Sequence, residues 1–384
     1  MATRRPGWSR KSTPAQIDAR AVEDSSKSLF HRSFPRFDDT IPAADRAALR
    51  FGARASIQDR IVLHPSPIIG RMHLLIPFAS ALSDAAVQAM HDLTLPNLSW
   101  LLSRLTPTAR SEGDAFTPSP PHERALAAAW GWRGEAGALP FAARAAAADG
   151  IAVRDRAWGL ITPVHWHVGR DHVTLVDPQA LALTEAESRA AFDAVRELFD
   201  SVGFALEWGA PLRWYAAHES LADLPCASLD RVIGRNVERW MRVEADGRPE
   251  PKLIRRLQSE LQLLLYPHAI NAEREERGEL TLNSFWLSGC GRSQRCDEGL
   301  VQQDDALRDA LLADDWAAWA DAWRALDAGS LARLREAATQ GQPVCLTLCG
   351  ERSAQRFEAL PRSIWQRTAG RWQASAPHTV LEAL

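Results

Sequence analysis

From residue 72 onward the apolar and polar positions fall into short runs that alternate between strand-like and helix-like periods. The run His-Leu-Leu-Ile-Pro-Phe at 73–78 reads as a buried strand. Ser83 opens a helix to about His91, and Pro96 begins a second through Leu105, where its missing N–H costs nothing. Ser119-Pro120-Pro121 introduces a third helix reaching Trp132, with Ser119 as N-cap and Pro120 in the first turn. Residues 139–149 are Ala-rich and helical, and stop at Asp149-Gly150. Strands are expected at 157–164 and 172–177, then a capping box of Thr184 and Glu187 starts a helix to about Ser201. Strands at 204–208 and 212–216, helices near 228–241 and 251–265, and a buried strand at 282–287 follow. Residues 304–340 read as helical throughout, and 344–349 as a late buried strand. This alternation predicts an α/β sandwich with a mostly parallel sheet.

Before Met72 the pattern is lost. Residues 1–71 carry 13 basic and 7 acidic side chains, against 32 and 41 in the remainder, so the overall charge of −3 averages +6 and −9. A basic arm for nucleic acid and a loose tail compete here; the interspersed acids favour the tail, with Met72 an alternative start. The composition, 46% apolar and 24% charged, excludes disorder as the dominant state. No apolar run approaches the ~18 residues of a membrane span and none follows the basic start as in a secretory leader, so a cytoplasmic protein without a membrane partner is expected. Basic residues of the body are scattered among acids, which argues against nucleic acid. The 42 Arg against 3 Lys, beside 64 Ala, have the look of a GC-rich coding sequence, and no arginine-specific chemistry is read from them. Five Cys, an odd number, suit a reduced setting; Cys345 and Cys349 are expected to be buried thiols.

The densest ligand-type cluster is His165-Trp166-His167, followed by His172 and Asp177. Residues 165 and 167 share a strand face and, with a third ligand, suit zinc or iron; hydrogen-bonded structural histidines are the alternative. Ser119 at a helix start, with His122 one turn on, suits phosphate or an oxyanion, although the adjacent prolines remove two N–H donors and a plain N-cap explains the serine equally well. Trp316, Trp319 and Trp323 line one helix face, which reads as core packing rather than a stacking platform.

In their order, these segments resemble the 2,3-bisphosphoglycerate-independent phosphoglycerate mutases of the archaeal type, in the alkaline phosphatase superfamily. Leu95-Pro96-Asn97-Leu98 is similar to the helix start after that superfamily's first strand, and Thr117-Pro118-Ser119 with His122 and Gly131-Trp132 to its nucleophile loop. Gly137 to Ile151 parallels the stretch leading to the family's substrate domain, and Asp177, Ala180 and the Thr184 helix an Asp-x-x-Ala turn. His268, Asn271, Arg274 and Gly278 follow a His-Pro-x-Asn-x-x-Arg run, and Asn283 to Gly291 the return to the core. A whole-length likeness to the bacterial regulatory proteins of the regulation-of-pathogenicity-factors type E family rests on residues 72–80 and 162–167.

The resemblance implies a three-layer α/β sandwich with a mostly parallel central sheet, alkaline-phosphatase-like, built from 72–132 and 285–384. Residues 133–284 would be an inserted α+β subdomain. It also implies phosphate transfer through Ser119 between two divalent metals. The ligands for those metals are what the chain lacks. Pro77 stands where the first strand should end in a ligand, 292–315 holds no metal helix, Gly159-Leu160-Ile161 replaces an Arg-x-Asn pair, and the Asp-His pair after the last strand reads Glu351-Arg352. Arg352 is a guanidinium where a metal charge is expected. The expectation is a regulatory pseudoenzyme with no cofactor, binding a small phosphorylated ligand through His122, His165, His167, Asn271, Arg274 and Arg352. The alternative is an active phosphomutase or phosphatase using Ser119 with Mn, Mg or Zn. Its metal would be held by Glu351 and His378, or by His165, His167, His172 and Asp177. A structural or protein-interaction module is the third reading.

Overall fold

The computed structural model describes residues 72–241, 250–297, 299, 301–359 and 376–384; the expectations for residues 1–71 lie outside them. The first strand, β1 (Met72–Ile76), pairs in parallel with β10 (Val344–Cys349), and on its other side with the two-residue β9 (Gln302–Gln303). Period-two alternation gives each strand two apolar faces. Leu74 and Ile76 with Val344, Leu346 and Leu348 meet α1 (Asp84–His91), α2 (Pro96–Arg104) and α10 (Trp316–Leu326), where Trp319 and Trp323 are fully buried. Leu75 and Cys349 face Leu126 of α3 (Pro121–Ala129) on the opposite side. Helices therefore cover both faces, as an α/β sandwich requires.

The sheet is mixed rather than mostly parallel. β11 (Ala354–Glu358) and β2 (Thr106–Ser111) extend it antiparallel, giving the order β2-β11-β10-β1-β9. β2 is half-exposed and β11 buries only Ala354 and Phe357 among polar residues, so neither shows an apolar run in the sequence. A second sheet, ordered β6-β7-β3-β8, is wholly antiparallel: β6 (Ala205–Ala210), β7 (Arg213–Ala217), β3 (Ala157–Val164) and β8 (Ser284–Arg292). One face packs on α5 (Glu185–Asp200) and α7 (Glu250–Leu265) through Phe192, Phe199, Leu257 and Leu261. Its other face takes α4 (Phe141–Ala148), whose Ala142, Ala143 and Ala146 lie on Trp158 and Tyr215. Gly289, at φ +63, allows that approach, since a Cβ there would meet the Ala142 nitrogen at 2.8 Å. A small hairpin of β4 (Trp166–Val168) and β5 (Val173–Leu175) flanks it.

The Thr184–Glu187 capping box, the buried tryptophans and the buried Cys345 and Cys349 are as expected. Three helix expectations are corrected. Ser119 is not an N-cap: α3 starts at Pro121 with Pro120 before it, because two consecutive prolines push the preceding residue out of helical space. Residues 228–241 form only a 3-10 turn at Leu229–Arg231 and the four-residue α6 (Glu238–Met241). Gly234 at φ +71 breaks the rest, and its N–H donates to Leu175 instead. Residues 304–340 are interrupted twice. Asp314 turns at φ +53 between α9 (Arg308–Leu312) and α10, and a π-turn at Asp327–Leu331 separates α10 from α11 (Ala332–Thr339).

Candidate functional site

The carboxyl ends of β1 and β10 open at the same edge of the mixed sheet. The chain leaves β1 through Pro77 and Phe78, which sits at φ +56, an uncommon conformation for a bulky residue. It is held there by the Ala79 N–H on Cys349 O (2.8 Å) and the Trp319 indole N–H on Phe78 O (3.1 Å). β10 leaves through Gly350, where a Cβ would collide with Ser80 and Leu384, into Glu351 and Arg352. Opposite lies the loop 111–119 that ends in Ser119.

Two buried arginines join these stretches. Arg124, on α3, donates to Ser111 Oγ (3.1 Å), Ser119 O (2.7 Å) and Arg352 O (3.0 Å). Arg231, from the turn of 229–231, donates to Thr117 O (3.1 Å), Asp114 O (2.9 Å) and Glu351 O (3.1 Å). They are only 5% and 4% exposed. Burial, then the like charges of Arg235 and Arg124, push the Arg231 guanidinium down to about 10, so it stays cationic at neutral pH. Both guanidiniums thus stand between the Ser119 loop and the 351–352 turn, each donating to oxygens of both stretches. Ser119 itself is 2% exposed, and its Oγ accepts the Gly137 N–H at 2.8 Å.

Beside this joint is an acid–base cluster. His122, also against the Phe78 ring at 5.0 Å, lies 3.5 Å from Asp230 Oδ2. Arg308 donates to Asp230 Oδ1 at 2.6 Å and lies 3.9 Å from Asp177. Burial alone would raise the Asp230 carboxyl, but the His122 hydrogen bond and the Arg308 charge hold it down at about 2. Glu123 is pushed up to about 7 because its carboxyl is enclosed, although His122 and the Ser228 hydroxyl (2.6 Å) oppose the shift. A carboxyl poised near neutrality beside an imidazole is an arrangement that can hold or hand on a proton.

Of the other candidates only the 351–352 turn is tied to the Ser119 loop, through its backbone carbonyls. His165 binds Thr281 O through Nδ1 (2.7 Å), and burial lowers its pKa, while His167 and His172 are exposed on the hairpin. Asp177 caps the 3-10 turn at Pro178–Leu181. Asn271 is turned inward onto Leu265 O and Leu282 O, and Arg274 onto Leu181 O, Leu280 O and Glu187. His378 stacks on His91 at 4.7 Å. Glu351 is taken by Arg235 (3.4 Å) and the Leu82 N–H (3.2 Å). Arg352 is exposed and makes no ion pair among the described residues.

Neither proposed ligand set is assembled, and among the described residues no three His, Cys, Asp or Glu side chains gather as a metal site. With Pro77 at the strand end and two guanidiniums in the joint, these residues do not fit two divalent cations.

Arg124, Arg231, Glu123, Asp230 and Arg308 were not singled out by the sequence. Their one signal is charge within segments that pack, and the partners that show they are buried lie up to 228 residues away.

No protein-family model matches the chain, and no curated protein matches it. Among solved structures it is weakly similar to a cofactor-independent phosphoglycerate mutase from Thermoplasma acidophilum DSM 1728. That likeness has 15% identity and a TM-score of 0.31, over 82% of this chain and 99% of that one. It is also similar to the PH0037 protein from Pyrococcus horikoshii, with 13% identity and a TM-score of 0.40, over 76% and 88%. Overlays at these scores say nothing of an activity. No helix among the described residues is long and apolar enough to cross a membrane.

Proposed function

We infer that this is a phosphoglycerate-mutase-like protein that has exchanged a dimetal centre for arginine and works in the cytoplasm as a regulatory, ligand-binding pseudoenzyme. The observation that carries the reading is the pair of buried guanidiniums between the Ser119 loop and the 351–352 turn. Fixed cations there donate hydrogen bonds to nearby carbonyls and supply positive potential, but unlike a metal they cannot activate the Ser119 hydroxyl as a nucleophile. Arg235 and Arg352 add charge at the exposed side, where Glu351 and Asp114 oppose it. That balance suits a small phosphorylated ligand, and the reading calls for no metal, nucleic acid or membrane.

The test is to assay the full chain for mutase and phosphomonoesterase turnover with Mn²⁺, Mg²⁺ or Zn²⁺, and for thermal stabilisation by inorganic phosphate and 3-phosphoglycerate. The expected result is no metal-dependent turnover and a saturable shift, about 2.7 kcal/mol at a hundredfold excess over Kd. That shift should shrink in Arg352→Ala. Metal-dependent turnover abolished by Ser119→Ala overturns the reading in favour of an active enzyme. The absence of any shift favours a structural module.

A further inference from the structure

Two thiols face each other next to the segment that carries Arg231. Cys290, on β8, is fully buried, and its Sγ lies 3.7 Å from that of Cys226, a half-buried residue of the preceding loop. Cys290 is seated against Gly159 of the neighbouring strand, where an added Cβ would come within 3.2 Å of its sulfur. Cys226 instead lines a small pocket, open to solvent, between Ala227, Trp240, Ile254 and Trp286. Cys226 thus borders the opening, and Cys290 lies behind it. A peroxide-reacting cysteine with an adjacent resolving cysteine has this arrangement.

We propose that Cys226 and Cys290 are an oxidisable pair, converted by a hydroperoxide entering that pocket into an internal disulfide. The Cys226 thiolate attacks the peroxide: an S–O bond forms, the O–O bond breaks, and the leaving alkoxide or hydroxide takes up a proton. The sulfur of Cys290 then attacks the sulfenic acid on Cys226. An S–S bond forms, the S–O bond breaks, and hydroxide leaves with the Cys290 proton as water. Two thiols lose two electrons and the peroxide gains them. A disulfide needs its sulfurs about 2.05 Å apart, so they must close by about 1.7 Å, a motion the loop residue is placed to make.

That motion is felt at Ser119. The Cys226 N–H donates to Gly137 O (3.0 Å), and the Gly137 N–H donates to Ser119 Oγ (2.8 Å). Gly137, at φ +90, is wedged between Pro118 and Cys226, where a Cβ would come within 3.0 Å and 3.1 Å of them.

The test is to treat the folded full chain with a modest excess of hydrogen peroxide, alkylate the remaining thiols, digest, and map unreduced peptides by mass spectrometry. The expected result is loss of two of the five thiols and a linked peptide joining Cys226 to Cys290, reversed by dithiothreitol. In Cys290→Ser, dimedone should trap a sulfenic acid on Cys226; in Cys226→Ser, Cys290 should stay alkylatable after unfolding. A Cys226 that remains reduced, or that links to another cysteine or a second molecule, overturns the proposal. Because the readout is a peptide mass, a failure of phosphate binding leaves this result unaffected.

Discussion

Arg231 ties together carbonyls from two stretches more than 200 residues apart, and removing its buried guanidinium takes this donor from Thr117 O and Glu351 O, while Asp114 O keeps the Thr117 N–H. Hydrogen bonds to charged groups contribute about 1.5–3 kcal/mol each, and a buried acceptor left unmatched costs its desolvation. Arg231→Met is therefore expected to lower unfolding stability by roughly 3–5 kcal/mol, read as a drop in urea midpoint. Arg231→Lys should recover less than half of it, because one ammonium cannot span three carbonyls arranged for a planar fork. A loss under about 1 kcal/mol in Arg231→Met would show that the joint is not held by this side chain. The excess of 42 Arg over 3 Lys has the look of a coding bias. A bias explains the count; it says nothing of which arginines are buried.

At the scale of the element, α2 shows how a helix end can be completed from elsewhere in the chain. Its N-cap, Leu95, offers no side-chain acceptor. Asp327, 3% exposed in the π-turn after α10, accepts from the Leu98 N–H (2.8 Å) and the Asn97 N–H (3.1 Å). The extra residue of the π-turn and the Pro96-Asn97-Leu98 start are thus two halves of one contact. Asp327→Ala is expected to cost about 1–2 kcal/mol and to speed amide exchange at Asn97 and Leu98 more than at the carboxyl end of α2. Uniform exchange along α2 would contradict that assignment. Elements with local signals were legible: the Thr184 capping box, the apolar run of β10, the alanine helix α4. β2, β11 and the breaks at Gly234 and Asp314 were not, because strands made mostly of polar residues lack an apolar period and a break depends on what its freed N–H can reach.

For the molecule as a whole, the buried acid–base cluster sets a pH dependence. Glu123 rises from 4.5 to about 7 on folding, so between these values the unfolded chain has lost a proton that the folded chain keeps. The folded state binds more protons there, and stability falls as pH rises from about 4.5 to 7, by on the order of 3 kcal/mol from this group. Glu123→Gln should flatten that slope and raise the melting temperature at pH 8 relative to the native chain. Asp230, held at about 2, acts oppositely: its contribution is complete above 3.8 and is lost as pH falls towards 2. A stability profile rising steadily from pH 5 to 7, unchanged in Glu123→Gln, would sink the first expectation.

By itself the sequence determined the alternation of elements, the apolar faces of β1 and β10, the tryptophan face of α10, and Ser119 and His122 as residues of interest. These follow from side-chain periodicity and local capping, which act over a few residues. Only the tertiary structure decided that the sheet is mixed, that Ser119 is tied to Gly137, and that Asn271 and Arg274 are spent inside the fold. It also decided that two arginines stand in the joint between the Ser119 loop and the last parallel strand. Each of these turns on which distant carbonyl, carboxylate or thiol meets a given side chain in a low-dielectric interior, and such pairings leave no period in the chain.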